Sequence, residues 1–432
     1  MRQSTRCICD WLEAMCAQMY AGAAVGAVFA GDYITMFAFW EITAIASVFL
    51  IWARGTERAF ATGMRYLIIQ VGSGVILLAG VLMLAQQTNT ITFTQIADVD
   101  VDRLGEVPLY AWLILIAFGI KAAFPLLHNW LPDSYPEATV TGGVWLSAFT
   151  TKLAIYALAR GFPGSDILIW IGVIMAIYPL VYAMLEDDMR RVLAHAINNQ
   201  LGFMVVGIGV GSAFALSAVT AQAICHILYK SLLFMSIGAV LYRTETAKAS
   251  ELGGLYRQMP LTCAFAIIGA LAMSTPLFAG FVAKALVTGS VAEAKEFGPW
   301  LVLILASGAV FFAAGLRVVA FTFFGRATPE PIAAEAKEAP TNMIIAMGLT
   351  TVLLIGLGVY PAALYALLPN PVSYNAYTFE YVVTQLQLLA FTTVLFAGLL
   401  AAGLYLRPEA ASYLKLDWFY RKLAYNVSST VL

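Results

Sequence analysis

Charged side chains are scarce in this chain. Of its 432 residues only 11% are Asp, Glu, Lys or Arg, whereas 61% are hydrophobic. Soluble domains carry about 25% charged residues, so this deficit and the repeated long apolar runs predict an all-α polytopic membrane protein. The net charge of −1 does not provide the basic surface that nucleic acid requires.

Cofactor-binding patterns are also missing from the sequence. The five cysteines show no metal-ligand spacing, and their odd number argues against a full disulfide framework. No cysteine cluster suits an iron–sulfur centre, and no dinucleotide-binding glycine loop is present. We therefore expect no cofactor, no metal and no enzymatic site of its own in this chain.

Long apolar runs are present instead, and hydropathy predicts about twelve transmembrane helices. The predicted spans are 14–30, 34–53, 66–85, 109–127, 142–160, 167–185, 192–210, 213–242, 261–290, 299–324, 341–360 and 385–406. The tail after Leu406 mixes aromatic and basic residues, which is typical of a segment at the membrane interface.

Basic residues concentrate in the loops of one side of this topology, at 54–65, 190–191, 243–257 and 326–337, and in the tail. The opposite loops are rich in Asp and Glu. The positive-inside rule then places the basic loops and the N-terminus in the cytoplasm, with the chain in the inner (cytoplasmic) membrane.

Lys121 lies within an apolar span and carries the sharpest functional signal. A lysine near the middle of a membrane helix costs about 2.5–3.5 kcal/mol on insertion scales, so it indicates function by default. Pro125 cannot donate to the carbonyl four residues before it, which belongs to Lys121, and so predicts a helix break there. Broken helices at membrane depth line polar interiors.

Other ionisable residues also lie inside predicted spans. Glu41 is the one acid of its span and predicts an interior ion pair with Lys121, although a neutral or structurally paired acid would fit as well. Lys152 is expected about ten residues from each end of a continuous helix, too deep for easy snorkelling. Each residue is therefore expected to act in proton transfer.

His226 and Lys230 are four residues apart and form one helix face with Gln222. A lone buried histidine is most often a satisfied core residue, but this polar stripe favours a proton relay. His195 starts its span, where an interfacial position and a functional one are equally compatible with the sequence.

Lys284 follows Pro276 and Gly280, which interrupt its span as Pro125 interrupts the earlier one. Two broken helices, each with a lysine and five spans apart, indicate a repeated transporter fold. Because five is an odd number of spans, the second copy would enter the membrane in the opposite direction. Desolvation disfavours the charged form of a buried lysine, which suits proton hopping along such a series.

These motifs resemble the proton-conducting, antiporter-like membrane proteins, which include the D-type component of Mrp cation/proton antiporters and the large membrane subunits of respiratory complex I. The matching segments, in the same order, are Gly31–Glu41, Phe118–Ala138, Thr150–Tyr156, His226–Phe234 and Pro276–Lys284. Lysine at position 284 favours the Mrp D type or the distal complex I subunit. The very long lateral helix of that distal subunit is not expected here, which favours an Mrp-like or stand-alone homologue.

The resemblance implies two inverted five-helix bundles with discontinuous helices. The first half-channel bundle would span 1–165 and the second 166–325, followed by C-terminal transmembrane helices and the interfacial tail at 326–432. Family members usually have about three further helices before the first bundle, which this chain is expected to lack. Glu41 and Lys121 would be the coupling pair, Lys152 the connecting residue, and Lys284 the terminal lysine.

The implied function is proton translocation in a multi-subunit Na⁺/H⁺ antiporter, with other membrane subunits, H⁺ and Na⁺ as partners. The alternatives are a proton-pumping subunit of a complex I-like, hydrogenase-type or bicarbonate-uptake complex. A purely structural scaffold gains nothing from the insertion cost of four interior lysines and an acid. A membrane enzyme would require a bound redox cofactor.

Overall fold

The computed structural model describes residues 2–96, 99–325 and 336–405. Within these residues the backbone is helical apart from its connections, and the β contacts are two isolated bridges, Asp32–Thr92 and Asp188–Lys248. The predicted all-α class is confirmed. The predicted interfacial tail lies outside the described residues.

The first seven helices are α1 Arg2–Val28, α2 Tyr33–Trp52, α3 Glu57–Thr88, α4 Leu109–Lys121, α5 Trp130–Ser134, α6 Val140–Ala148 and α7 Thr150–Gly161. Six more follow: α8 Asp166–Leu185, α9 Met189–Val210, α10 Ala213–Thr244, α11 Pro260–Leu271, α12 Ala279–Glu293 and α13 Phe297–Phe324. The last three described helices are α14 Thr341–Val359, α15 Pro361–Tyr365 and α16 Phe379–Ala401.

Eight of the described helices are long and apolar enough to cross a membrane, namely α2, α3, α8, α9, α10, α13, α14 and α16. Each corresponds to one of the twelve predicted spans. The other four predictions fall on α1 and on three interrupted helices, α4–α5, α6–α7 and α11–α12. The chain is therefore a multi-pass membrane protein whose interrupted helices escape a simple count by length.

Side-chain caps define where several of these helices begin. Asp32 accepts a hydrogen bond from the Thr35 N–H at 2.8 Å before α2, and Thr56 accepts one from the Ala59 N–H at 3.0 Å before α3. These bonds satisfy N–H groups that have no partner within the helix. The caps fix helix starts in short connections where apolar periodicity gives no signal.

α9 is the central helix of the described bundle, because its apolar span is completely buried inside the protein. Its closest neighbour is α8. A Cβ atom at Gly172 of α8 would lie 2.7 Å from the Gly202 carbonyl oxygen of α9, and the reverse distance is also 2.7 Å. Glycine at both positions lets the two backbones meet, as is common between membrane helices.

Two of the loops predicted to form the basic side, 54–65 and 190–191, meet at one end of the bundle. Arg54 and Arg58 contact the Glu137 carboxylate at 3.3 and 2.7 Å. Arg190, in the first turn of α9, donates to three backbone carbonyls of residues 136–139 at 2.8–3.0 Å. These arginines fasten the connection between α5 and α6 to the same end.

Candidate functional site

The first interruption follows Lys121 directly. α4 ends at Lys121, and Pro125 and Leu126 then occupy the centre of a β-turn. In this turn the Leu127 N–H donates to the Phe124 carbonyl at 2.9 Å. Leu126 has a φ of +69°, which is the conformation that a type II turn requires at its third residue. Pro125 thus lies in the turn that ends the helix carrying the lysine.

The Lys121 ammonium is fully buried and bound to α2. It donates to the Trp40 carbonyl and to the Thr43 hydroxyl, each at 3.0 Å. It also lies 4.1 Å from the centre of the Trp40 ring, close enough for a cation–π interaction. Neutral oxygens and an aromatic face therefore solvate this cation.

The sequence predicted a direct ion pair between Glu41 and Lys121. Among the described residues, no nitrogen–oxygen distance of 4.0 Å or less joins these two side chains. The reason is that α2 offers the ammonium closer oxygens from Trp40 and Thr43. The two charges interact over a longer separation. Glu41 instead packs on α3, where a Cβ at Gly74 would overlap its carboxylate oxygen Oε1.

Lys152 lies beside an interruption that the sequence did not predict. The span expected to be continuous over 142–160 divides at Phe149, so Lys152 lies in the first turn of α7 instead of ten residues from each end. The Thr150 N–H donates to the Tyr20 hydroxyl at 2.7 Å. The Lys152 ammonium donates to the Ser147 carbonyl, on the other side of the interruption, at 2.5 Å.

The polar stripe on α10 is buried. His226 and Lys230 are fully buried, and neither the His226 ring nitrogens nor the Lys230 ammonium has a hydrogen-bond partner within the described part of the protein. The His226 ring packs edge-on against Tyr229, with ring centroids 5.3 Å apart. Buried polar groups are nearly always hydrogen-bonded, so water is needed to complete the environment of these two residues.

The second interruption resembles the first in its local geometry. The Phe278 N–H donates to the Thr275 carbonyl at 3.4 Å across Pro276 and Leu277. Leu277 has a φ of +77°, the equivalent of Leu126 in the first turn. Gly280, predicted as part of the break, lies in the first turn of α12. A Cβ there would overlap the carbonyl of Ala272, so glycine permits the close approach of the two helix ends.

Lys284 projects from α12 towards this second interruption. Its ammonium donates to the Ser274 hydroxyl at 2.6 Å and to the Ser307 hydroxyl of α13 at 3.2 Å. The Phe203 ring of α9 lies 5.7 Å away. Like Lys121, this lysine is held by uncharged oxygens and an aromatic ring.

The structure divides the six predicted residues into two groups. Glu41 and Lys121 interact electrostatically across α2 and α4. The second group brings together basic side chains from three helices: Lys152, His226, Lys230 and Lys284. None of these four forms one of the ion pairs found among the described residues. A proton held by one member therefore disfavours a proton on its neighbours.

Comparison with known proteins identifies the family. Residues 30–313, which contain both groups, match the model of the NADH:quinone oxidoreductase/Mrp antiporter transmembrane family. The chain belongs to this family.

Curated relatives of this family member are components of Na⁺/H⁺ antiporters. The A-type antiporter subunit from Alkalihalophilus pseudofirmus is 29% identical over 465 residues, covering 93% of this chain and 56% of that protein. The A1-type antiporter subunit from Staphylococcus aureus strain JH9 is 28% identical over 382 residues, covering 80% of this chain and 47% of that protein. The chain thus spans about half the length of these relatives, and they do not support its assignment to the D type.

Solved structures share the fold of this family member. The Mrp complex from Dietzia sp. DQ12-45-1b contains a chain with a TM-score of 0.72 and 22% identity, covering 88% of this chain and 78% of that chain. The membrane-bound sulfane sulfur reductase, an archaeal respiratory membrane complex, also contains a similar chain. Its TM-score is 0.75 and its identity 24%, and the match covers 90% of this chain and 68% of that chain.

His195 is a further buried residue in α9. It stacks on Tyr182 of α8, with ring centroids 5.8 Å apart. A few residues along α9, Gln200 joins α9 to the α10 stripe by accepting hydrogen bonds from Gln222 at 2.9 Å and from Tyr229 at 2.8 Å. Sequence reasoning missed this role of Gln200, although an amide within an apolar span could have pointed to it.

Proposed function

We propose that this family member is a proton-translocating subunit of a multi-subunit monovalent cation (Na⁺)/H⁺ antiporter. The observation that carries the proposal is the group of Lys152, His226, Lys230 and Lys284, four buried basic side chains without an ion pair among the described residues. Each buried lysine costs about 2.5–3.5 kcal/mol on insertion scales, a cost with no benefit to a structural scaffold.

The proposed mechanism is proton transfer along Glu41, Lys121, Lys152, His226, Lys230 and Lys284. Burial disfavours the charged form of each lysine, and a proton on one member disfavours a proton on the next. Protonation can therefore alternate along the series. The Glu41 carboxylate, which interacts with Lys121 at a distance, would decide when Lys121 carries its proton.

Two inverted five-helix bundles, 1–165 and 166–325, followed by the C-terminal segment 326–432, form the proposed architecture. The support is the local identity of the two interruptions, each with a Pro–Leu turn and its leucine at positive φ. Each turn lies near a buried lysine, Lys121 or Lys284. Broken helices in corresponding positions mark the ion path in repeated transporters.

The relatives favour an antiporter component of the A type over the D type. Other membrane subunits, H⁺ and Na⁺ would be its partners in a bacterial cytoplasmic membrane. The arginines gathered around Glu137 support a cytoplasmic position for this end of the bundle, and α1 would start on the same side.

A second candidate is a proton-pumping subunit of a redox-driven membrane complex. The similarity in fold to the membrane-bound sulfane sulfur reductase favours it, with a TM-score of 0.75. The proton path would be the same in this case, and the coupling reaction would take place in partner chains.

The deciding experiment measures the collapse of a pH gradient on addition of Na⁺ to inverted vesicles. An antiporter-deficient host would express the gene with its genomic neighbours, as wild type, Lys121→Ala or Lys248→Ala. Lys248 is an exposed lysine paired with Glu251 and serves as the matched control. Collapse lost only in Lys121→Ala supports the antiporter. Absence of collapse in assembled wild type would overturn it in favour of the redox-coupled alternative.

A further inference from the structure

Polar side chains occupy the space between the two groups of ionisable residues. The Thr43 hydroxyl, which accepts from Lys121 at 3.0 Å, marks one end on α2. One helical turn further, the Ser47 hydroxyl shares a hydrogen bond of 2.8 Å with the Tyr66 hydroxyl of α3. All of these side chains are buried.

The other end of this polar region is the unpredicted interruption beside Lys152. The Tyr66 hydroxyl interacts with the side chain of Thr150, whose own hydroxyl is hydrogen-bonded to that of Tyr20. Thr150 is followed by Thr151, whose hydroxyl accepts from the Lys152 ammonium at 3.4 Å. Buried hydroxyls therefore extend from the Lys121 ammonium towards the Lys152 ammonium.

One gap in this series lies between Thr43 and Ser47, because side chains four residues apart on a helix are about 5–6 Å apart at their Cβ atoms. The antiparallel register of α2 and α3 shows what faces the gap. Trp40 contacts Ser73 at 3.0 Å and Ser47 contacts Tyr66 at 2.8 Å, which places Gln70 at the level of Thr43.

Gln70 is fully buried, and neither the oxygen nor the nitrogen of its amide has a hydrogen-bond partner among the described residues. An amide buried without partners is costly, so such groups are normally satisfied by ordered water. A water molecule bound to Gln70 at this level would face the gap between the Thr43 and Ser47 hydroxyls. The gap is therefore polar enough to be bridged.

We propose that these side chains form a proton wire, the α2–α3 hydroxyl wire, which connects Lys121 to Lys152. Its members are Thr43, Gln70, Ser47, Tyr66, Thr150 and Thr151. The inference rests on the proposed function, because it supplies the route between the two groups of that proton path.

The chemistry requires only proton exchange along hydrogen bonds. Each hydroxyl accepts a proton from one neighbour and gives its own proton to the next, so one proton leaves the Lys121 ammonium and one arrives at the Lys152 amine. No hydroxyl retains a charge. Gln70 does not exchange its own protons and acts as a positioning residue that holds the bridging water.

The test compares Tyr66→Phe with Tyr33→Phe in the same vesicle assay. Each substitution removes one hydroxyl from a fully buried tyrosine and retains the ring, but the Tyr33 hydroxyl donates to the Thr94 carbonyl at 2.8 Å, at the α2 start. Positioned proton transfer contributes about 10²–10⁴-fold, so Tyr66→Phe should slow proton transport by at least tenfold. Tyr33→Phe should transport like wild type.

A second variant and an isotope measurement separate proton transfer from a structural effect. Ser47→Ala should slow transport as Tyr66→Phe does, and the residual rate in both should fall further in D₂O than the wild-type rate does. Normal transport in both variants, while Lys121→Ala is inactive, would refute the wire and leave the proposed function intact. Slow transport with an unchanged isotope effect would also refute it. Failure of the wild type would refute the function itself.

Discussion

The ammonium of Lys152 binds the carbonyl of Ser147 across the interruption at Phe149, at 2.5 Å. The lysine and the backbone break therefore depend on each other, since the break frees the carbonyl and the ammonium satisfies it. Lys121 and Lys284 also lie beside helix interruptions. In each case uncharged oxygens, and not carboxylates, contact the ammonium.

Replacing Lys230 should increase the stability of the fold and reduce proton transport. Lys230 is fully buried without a hydrogen-bond partner among the described residues, so Lys230→Met should raise the free energy of unfolding by roughly 1–3 kcal/mol. Transport should fall at least about tenfold. Thermal unfolding in detergent and the vesicle assay measure the two effects.

Lys284→Met is the comparison variant and should stabilise the protein less than Lys230→Met, because it leaves the Ser274 and Ser307 hydroxyls unpaired. A less stable Lys230→Met protein would contradict the prediction.

The position of the Glu41 carboxylate should be sensitive to one methyl group. A Cβ at Gly74 would overlap Oε1 of Glu41, whereas a Cβ at Gly72 meets nothing within 4 Å. Gly74→Ala should therefore reduce Na⁺-driven proton transport about tenfold, as Glu41→Gln should, because both alter the charge acting on Lys121. Gly72→Ala should behave like wild type. Equal activity of both alanine variants would show that the carboxylate position is unimportant.

The contact between α8 and α9 should not tolerate alanine. Because a Cβ at Gly172 would lie 2.7 Å from the Gly202 carbonyl, Gly172→Ala should lower the free energy of unfolding by roughly 1–3 kcal/mol. Gly22→Ala in α1, where a Cβ meets nothing within 4 Å, is the matched control and should be neutral or slightly stabilising. Thermal unfolding of purified protein gives both values, and unchanged stability of Gly172→Ala would argue against this helix contact.

The cap at the start of α2 should make a pH-dependent contribution to stability. Hydrogen bonds from the Thr35 hydroxyl and backbone N–H hold the pKa of the Asp32 carboxyl below its ordinary value of 3.8. A carboxyl with a lowered pKa stabilises the fold above its ordinary pKa, and this contribution is lost as the pH falls through the folded-state value. Asp32→Ala should therefore cost about 1 kcal/mol at neutral pH and progressively less below pH 3.8.

Thr56→Ala, at the cap of α3, provides the control for this titration. Thr56 accepts from the Ala59 N–H at 3.0 Å but has no carboxyl to protonate. Its cost should be of similar size, about 1 kcal/mol, and independent of pH. Unfolding temperatures of both variants between about pH 3 and pH 7 test the difference, and parallel curves would contradict the role assigned to Asp32.

The amino-acid sequence by itself determined the class of this protein, most of its long helices and the buried polar residues. The length of an apolar run predicts a membrane span wherever the helix is continuous. An intramembrane Lys or Glu is easily recognised because its insertion costs free energy. Pro125 and Pro276 predicted two helix interruptions, because proline has no backbone N–H to donate. This property is local and can be recognised from the sequence alone.

Only the tertiary structure decided the third interruption and the partners of the charges. Phe149 carries no helix-breaking signal, and the Thr150 N–H is instead taken by the hydroxyl of Tyr20, a residue of α1 far away in the chain. Lys121 likewise binds Trp40 and Thr43 instead of Glu41 because α2 presents those oxygens nearer to it. Such contacts depend on how helices pack and on their register, which no local pattern in the sequence encodes.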